Sequence, residues 1–260
     1  MSTQPSCCSA EVAPLEGRRA LLRSALAIAA AGAAGGLGLL GKSTVSYAAA
    51  LSKEERERLT PDDVLEGLKR GNERFRAGKM LAHDYMAQVH ATAAGQYPGA
   101  AILSCIDSRA PAEIILDARL GDVFNARVAG NIANDDVLGS LEFACALAGA
   151  KVILVMGHTS CGAIKGAIDN AELGHLTGLL ARIKPAVAAT RYTGKRSSKD
   201  PGFVDAVAKT NVLHTIADIR SQSSVLAGLE KDGKIRLAGS MYHLADGRVE
   251  FFPGAESRGA

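Results

Sequence analysis

Hydrophobic and polar positions change in blocks along the chain, and each block has the length of one helix or strand. Two runs are continuously apolar, 100–106 and 151–157. Short apolar runs of this kind are typical of strands that are buried on both faces of a parallel sheet. A third strand is predicted over 123–128, and two more close the chain over 235–242 and 248–252.

Apolar residues recur at helical spacing between these predicted strands. Thr60-Pro61-Asp62-Asp63 has the pattern of a helix start, and the apolar stripe after it ends near Gly78. Further helices are predicted over about 135–148, 162–192 and 203–231. Strands that alternate with helices indicate an α/β fold around a mainly parallel central sheet flanked by helices.

The first fifty residues have a different pattern. Arg18-Arg19 precedes an uncharged stretch over 25–40, and Tyr47-Ala48-Ala49-Ala50 has the small residues of a cleavage site. The uncharged stretch is shorter than the ~20 residues of a transmembrane helix. Residues 17–23 resemble the twin-arginine export motif. We therefore predict an export signal over 1–50 and a periplasmic mature protein without a stable membrane span, the alternative being an uncleaved anchor.

The composition and charge of the full chain limit the classes of protein to which it can belong. With 260 residues, 47% hydrophobic and 22% charged, the chain is too apolar to be disordered, and its 5 Cys are too sparse for a disulfide scaffold. A net charge of +3 and 4% aromatic residues argue against a nucleic-acid partner. We predict one domain over 51–260, with a helical arm over 51–95 and an α/β core over 96–260.

Reactive side chains follow two of the predicted strands. Cys105, Asp107 and Arg109 come at the end of the first buried run, and His158 and Cys161 come at the end of the run over 151–157. Functional sites of open α/β sheets lie at the carboxyl ends of the strands. Two Cys and one His suit zinc, with a fourth position left for water. Buried cysteines and a capping histidine are the alternative that these spacings leave open.

The sequence pattern around these reactive residues is more specific than the spacing of the two Cys and one His. Cys-x-Asp-x-Arg followed downstream by His-x-x-Cys-Gly resembles the β-class carbonic anhydrases. The resemblance runs from about Leu59 to Phe252. It includes the segments 121–124, 129–131, 139–143, 157–163, 211–212 and 239–242. It implies the fold of that family, with N-terminal helices packing on a partner subunit, and the activity of a zinc lyase, carbonate dehydratase.

The resemblance also implies roles for the reactive residues. Cys105, His158 and Cys161 would hold one Zn²⁺ per chain, and zinc-bound hydroxide would attack CO2 to give bicarbonate and a proton. Arg109 would keep Asp107 ionised, and Asp107 would orient the hydroxide by accepting a hydrogen bond from its proton. In one subset of the family the Asp instead binds zinc and closes the site at low pH.

A plant-like, open-site subset is the closer match around the substrate. Gln96 and Phe124 correspond to its pocket residues, whereas Phe143 stands where that subset often has Tyr; helix core is the alternative for Phe143. Gly162 would offer a backbone N–H to the substrate. Because pocket walls in the family come partly from the neighbouring subunit, we expect a homodimer or a larger homo-oligomer.

Two other functions remain open at this stage. The same scaffold and ligands would serve a hydrolase of CS2 or COS, which differs in the shape of its substrate tunnel. A non-catalytic sensor that binds zinc or bicarbonate is the second. The presence of Asp107, Arg109 and Gln96 argues against the sensor, because a binding protein has no need to orient hydroxide.

Overall fold

A computed structural model describes residues 50–253, so the predicted export signal lies outside the described residues except for Ala50. The described chain contains a five-stranded sheet with the order β2-β1-β3-β4-β5. The strands are β1 Ala100–Ser104, β2 Val123–Arg127, β3 Val152–His158, β4 Arg236–Tyr242 and β5 Val249–Phe251. The first four strands run parallel, and β5 is antiparallel to β4. The predicted, mainly parallel α/β sheet is confirmed.

Helices flank this sheet and connect its strands. They are α1 Lys53–Arg58, α2 Pro61–Arg76, α3 Tyr85–Thr92, α4 Ala112–Ile115, α5 Asp135–Glu142, α6 Gly162–Ile168, α7 Gly174–Ala181, α8 Lys184–Ala189, α9 Pro201–Gln222 and α10 Ser224–Lys231. A short 3₁₀ segment covers Ala129–Asn131, and a π-helical turn, Phe143–Leu147, continues α5. Within the described residues, none of the helices combines the length and the apolar character that a membrane crossing requires.

Two predicted helical stretches are broken in the structure. The stretch 162–192 consists of three short helices. The first break follows α6, where Asn170 takes a positive φ angle of 53° that does not continue a right-handed helix. The stretch 203–231 divides at Ser223, whose hydroxyl caps the next helix by accepting the N–H of Leu226. Helix α3 lies within the predicted helical arm over 51–95, but its own bounds were not predicted, because its residues show little apolar periodicity.

Local capping explains where the N-terminal helices begin. Ser52 and Glu55 form a reciprocal capping box at α1, and Thr60 and Asp63 form another at α2. Each box satisfies backbone donors that a helix start leaves unpaired. Pro61 occupies the first turn of α2, where its missing N–H costs nothing. The predicted start of this helix is confirmed.

Both faces of the sheet are covered, which accounts for the continuous apolar runs of β1 and β3. On one face, α2 contributes the buried residues Val64, Leu65 and Leu68 to a cluster with β1 and β3. On the other face, Phe203 and Val207 of α9 pack in the larger cluster. Every residue of β1 and β3 is buried, so neither strand has a face on which polar residues would be favourable.

Two glycines of α2 provide a matched test of this packing. A Cβ at position 71 would lie 1.8 Å from the carbonyl oxygen of Leu116, whereas a Cβ at position 67 would meet nothing within 4 Å. We expect Gly71→Ala to lose about 1–3 kcal/mol through overpacking. Gly67→Ala should gain up to about 1 kcal/mol from helix propensity. Thermal unfolding of both variants checks this, and equal effects would contradict the close packing of α2.

Candidate metal centre

The ends of the adjacent strands β1 and β3 bring three buried side chains together. Cys105 follows β1 directly, His158 is the last residue of β3, and Cys161 precedes α6. The two thiol sulfurs are 4.0 Å apart, and the ligand atoms of all three side chains lie within 4.8 Å of one another. The expected grouping at the carboxyl edge of the sheet is present.

The chemistry of this group fits zinc. The Nδ1 atom of His158 lies 2.9 Å from the carbonyl oxygen of Thr159, so Nδ1 donates its proton and Nε2 keeps a lone pair. Nε2 is buried and has no hydrogen-bond partner among the described residues, which is costly unless a ligand occupies it. Sulfurs bound to tetrahedral zinc lie roughly 3.8 Å apart for Zn–S bonds of about 2.3 Å, close to the spacing found here.

The hydrogen bond between the two thiols shifts their pKa values in opposite directions. A hydrogen bond from Cys161, with a further one from the N–H of Gly130, lowers the pKa of Cys105. The same bond to Cys105, together with burial, raises the pKa of Cys161. One sulfur is therefore a ready thiolate, and a dication that binds both sulfurs would displace the remaining proton.

A carboxylate held by an arginine borders the group. Asp107 Oδ1 accepts hydrogen bonds from the backbone N–H and the Nε of Arg109, each at 2.9 Å. Asp107 Oδ2 accepts from Arg109 Nη2 at 2.8 Å and lies 3.8 Å from His158 Nε2. The side-chain hydrogen bonds from Arg109 hold the pKa of Asp107 well below its usual range. The predicted pair is thus formed, with the acid ionised beside the ligand atoms.

Two residues that sequence reasoning missed hold the turns of the site. Arg127 donates to the backbone carbonyls of Cys105 and Asp107. Asp205 accepts the N–H of Ser160 at 2.9 Å and so supports a left-handed residue, with φ 55°, inside the turn that carries Cys161. Both supporting residues are distant in sequence from the turns they hold. Arg127 lies between two segments of the family resemblance, which is the signal that points to it.

Comparison with known proteins gives the family. The family model described as carbonic anhydrase matches residues 100–249. A carbonic anhydrase of Mycolicibacterium smegmatis is 36% identical over 196 residues, which cover 73% of this chain and 92% of that protein. Carbonic anhydrase 2 of Mycobacterium tuberculosis is 37% identical over 196 residues, covering 73% and 91%. The chain belongs to the carbonic anhydrase family.

Solved structures place the fold in the β class of carbonic anhydrases. The β-carbonic anhydrase CafA of Aspergillus fumigatus superposes with a TM-score of 0.59 at 24% identity, over 74% of this chain and 92% of that one. A tetrameric β-carbonic anhydrase of Sordaria macrospora gives 0.55 at 24% identity, over 64% and 89%. β-Class carbonic anhydrases are zinc enzymes, in agreement with the donor set of Cys105, His158 and Cys161.

Gly162 lies where the carbonic anhydrase resemblance implies a substrate contact. It is the first residue of α6 and follows Cys161 directly, so its position in the chain is beside the ligand group. A Cβ added at Gly162 would meet nothing within 4 Å. The side of this backbone on which a side chain would project is therefore open.

The other three predicted pocket residues, Gln96, Phe124 and Phe143, are not at the metal centre of their own chain. Gln96 is exposed and precedes β1, so it lies at the opposite end of that strand from Cys105. Phe124 and Phe143 contact each other edge to face, with 6.2 Å between ring centroids, and line a cleft of about 580 Å³ beside the edge strand β2. Phe143 is 53% exposed, so its alternative role as helix core is wrong.

Proposed function

We propose that this chain interconverts CO2 and water with bicarbonate and a proton, as a zinc lyase. The observation that carries the proposal is the buried group of Cys105, His158 and Cys161 with the ionised Asp107–Arg109 pair at its border. When bound, zinc supplies a Lewis acid that brings the pKa of a water molecule to near ~7. The protein supplies the ligand geometry and the orientation of the reacting groups.

Each residue has a defined task in this reaction. The hydrogen bond to the Thr159 carbonyl fixes the His158 ring and keeps Nε2 free as a ligand atom. Ionised Asp107 can only accept hydrogen bonds, so at Oδ2 it would accept a hydrogen bond from the attacking oxygen and thereby direct a lone pair of that oxygen at the carbon of CO2. Arg109 prevents Asp107 from becoming protonated. The Gly162 N–H would donate to the product oxygen, as the family resemblance implies.

We assign the site to the open, plant-like subset, in which Asp107 stays off the metal. The support is that Arg109 engages both carboxylate oxygens with three donors, all of which would be disturbed if Asp107 moved onto zinc. Bidentate arginine–carboxylate pairs are among the strongest hydrogen-bonded contacts in proteins. The closed-site alternative requires that this pair break.

Stopped-flow CO2 hydration by zinc-replete protein tests the reaction. Turnover well above that of a zinc-free sample would support it. Hydrolysis of CS2 or COS without CO2 turnover would favour the hydrolase alternative. Zinc or bicarbonate binding without any turnover would favour the sensor. All measurements use the same preparation, so that the outcomes are directly comparable.

We further propose that the working unit is a homodimer or a larger homo-oligomer, in which Gln96, Phe124 and Phe143 of one subunit complete the pocket of another. The positions of these residues away from their own ligand group support this. The exposed apolar side chains of Tyr85 and Met86 on the N-terminal arm support packing of that arm on a partner. The Sordaria macrospora relative in fold is tetrameric.

Phe143→Asp should therefore convert the wild-type oligomer into monomers and reduce CO2 hydration. We expect the dissociation constant of the oligomer to rise by at least about tenfold, because an unpaired buried carboxylate costs several kcal/mol. Light scattering measures the mass. Leu213→Asp is the control, since Leu213 is 46% exposed and lies outside the cleft. A wild-type monomer that hydrates CO2 would contradict this assembly.

Residues 1–50 are proposed to be a twin-arginine export signal that delivers the 51–260 domain to the periplasm. The sequence pattern carries this assignment. Leu51 and Ser52, which follow the proposed cleavage point, belong to the folded domain: the Leu51 N–H bonds to Asp122 at 3.3 Å, and Ser52 caps α1. We expect the exported protein to begin at Leu51 in N-terminal sequencing. Recovery of the full-length chain in membranes would favour the uncleaved anchor.

A further inference from the structure

We propose that Arg127 is a positioning residue for the metal centre, which sets the distance between the ligand Cys105 and the acid Asp107. The inference deepens the proposed function and rests on it for the role of Asp107. Arg127 is the last residue of the edge strand β2, so its backbone belongs to the sheet while its side chain reaches the turn that follows β1. The geometry of this turn carries the argument.

The turn begins where the β1–β2 ladder ends. Ser104 and Arg127 form the last residue pair of the ladder, and the N–H of Val128 bonds to the carbonyl of Ser104 at 3.0 Å. Beyond that pair, hydrogen bonds from the Arg127 side chain replace those of the backbone ladder. Its Nε donates to the Cys105 carbonyl at 3.0 Å, and its Nη2 donates to the Asp107 carbonyl at 2.6 Å.

One planar group thus holds two residues that perform different tasks. The guanidinium presents its donors in a rigid fork, so binding both carbonyls fixes their separation as well as their directions. The Asp107 carbonyl also accepts the N–H of Ala110 at 3.0 Å, which closes the turn. Ile106, between the two held carbonyls, is 59% exposed, so burial of its side chain contributes little to holding the turn.

The two arginines of the site act on different parts of Asp107. Arg109 binds the carboxylate, whereas Arg127 binds the backbone from which that side chain projects. The segment after Arg127 also supports the ligand itself, because the N–H of Gly130 points to the Cys105 sulfur at 3.4 Å. The end of β2 and the segment that follows it therefore position both the metal ligand and the acid.

Arg127→Met tests this role, with Arg127→Lys as the conservative variant and Arg196→Met as the matched control. Arg196 also binds two backbone carbonyls, those of Thr190 and Val187, at 2.6 and 2.7 Å, in the loop after α8. Zinc dissociation constants from chelator competition, Tm, and kcat and KM for CO2 are measured for the three variants and the wild-type protein.

We expect Arg127→Met to weaken zinc binding by about 10–100-fold, the effect typical of residues that orient metal ligands, and to lower kcat more than it changes KM. Arg127→Lys should retain part of the zinc affinity and part of kcat, since an ammonium can bind one carbonyl. Arg196→Met should lower Tm without changing zinc affinity. If Arg127→Met matches Arg196→Met in zinc affinity, the proposal is overturned. The zinc measurement stands even if the wild-type protein proves inactive toward CO2.

Discussion

Replacing Cys161 with serine should make zinc removable by a chelator and so eliminate CO2 hydration together with the metal. A serine hydroxyl does not ionise at neutral pH, so His158 and the Cys105 thiolate would remain as the two protein ligands of the group. Structural zinc sites bind with about 10–16 kcal/mol in total, or roughly 3 kcal/mol for each of four ligands. Loss of one thiolate should therefore weaken zinc binding by about two orders of magnitude or more. Metal analysis after dialysis against a chelator measures this loss.

Cys145→Ser is the matched control for that variant. Cys145 is also buried, but it lies in the π-helical turn after α5, and burial alone raises the pKa of its thiol to about 12. It is therefore a neutral core residue, and its replacement should leave the zinc content near one per chain. A Cys161→Ser protein that keeps its zinc and its activity would refute the metal-site assignment.

Asp107→Asn should retain zinc and lose most of the turnover. The three ligands remain, but the amide can donate a hydrogen bond where the reaction requires an acceptor, and Arg109 loses its anionic partner. Groups that orient or transfer protons contribute about 10²–10⁴-fold to rates, so we expect a fall in kcat of that order. Stopped-flow kinetics on a sample of verified zinc content measures it.

Asp246→Asn provides the control for the loss of an acid–arginine pair. Asp246 accepts the backbone N–H of Arg248 in the β4–β5 connection and lies near the Arg76 guanidinium, as an exposed acid outside the metal centre. This variant should keep wild-type kcat. If Asp107→Asn also kept it, Asp107 would have no part in orienting the attacking oxygen.

The pH dependence of the wild-type rate separates the open from the closed site. The folded-state pKa of Asp107 is depressed, so its pair with Arg109 is complete at neutral pH and is lost only as pH falls through that low value. The rate should then rise through a single ionisation near ~7, that of the activated water. A steep, cooperative loss on the acid side, with an Asp107–zinc bond in a crystal structure at neutral pH, would favour the closed site.

The sequence alone determined the strands, and its family resemblance indicated the ligand set. β1 and β3 are buried on both faces, so their apolar runs are unbroken and easy to recognise. Parallel strands end at the same edge of a sheet, so Cys105 and His158 were expected at one edge, and the structure shows that β1 and β3 are neighbours. The start of α2 followed from Thr60 and Pro61, whose effects operate within one turn of the chain.

Only the tertiary structure decided which residues support the site and where the predicted pocket residues lie relative to it. The bonds from Arg127 to the Cys105 turn and from Asp205 to Ser160 join residues that are 22 and 45 positions apart. Gln96 and Cys105 lie at opposite ends of β1, and this is visible only once the course of the strand is known. Such contacts depend on the packing of whole elements, whereas periodicity and capping report only on the nearest few residues, which is why the sequence pattern reveals the ligands before it reveals what positions them.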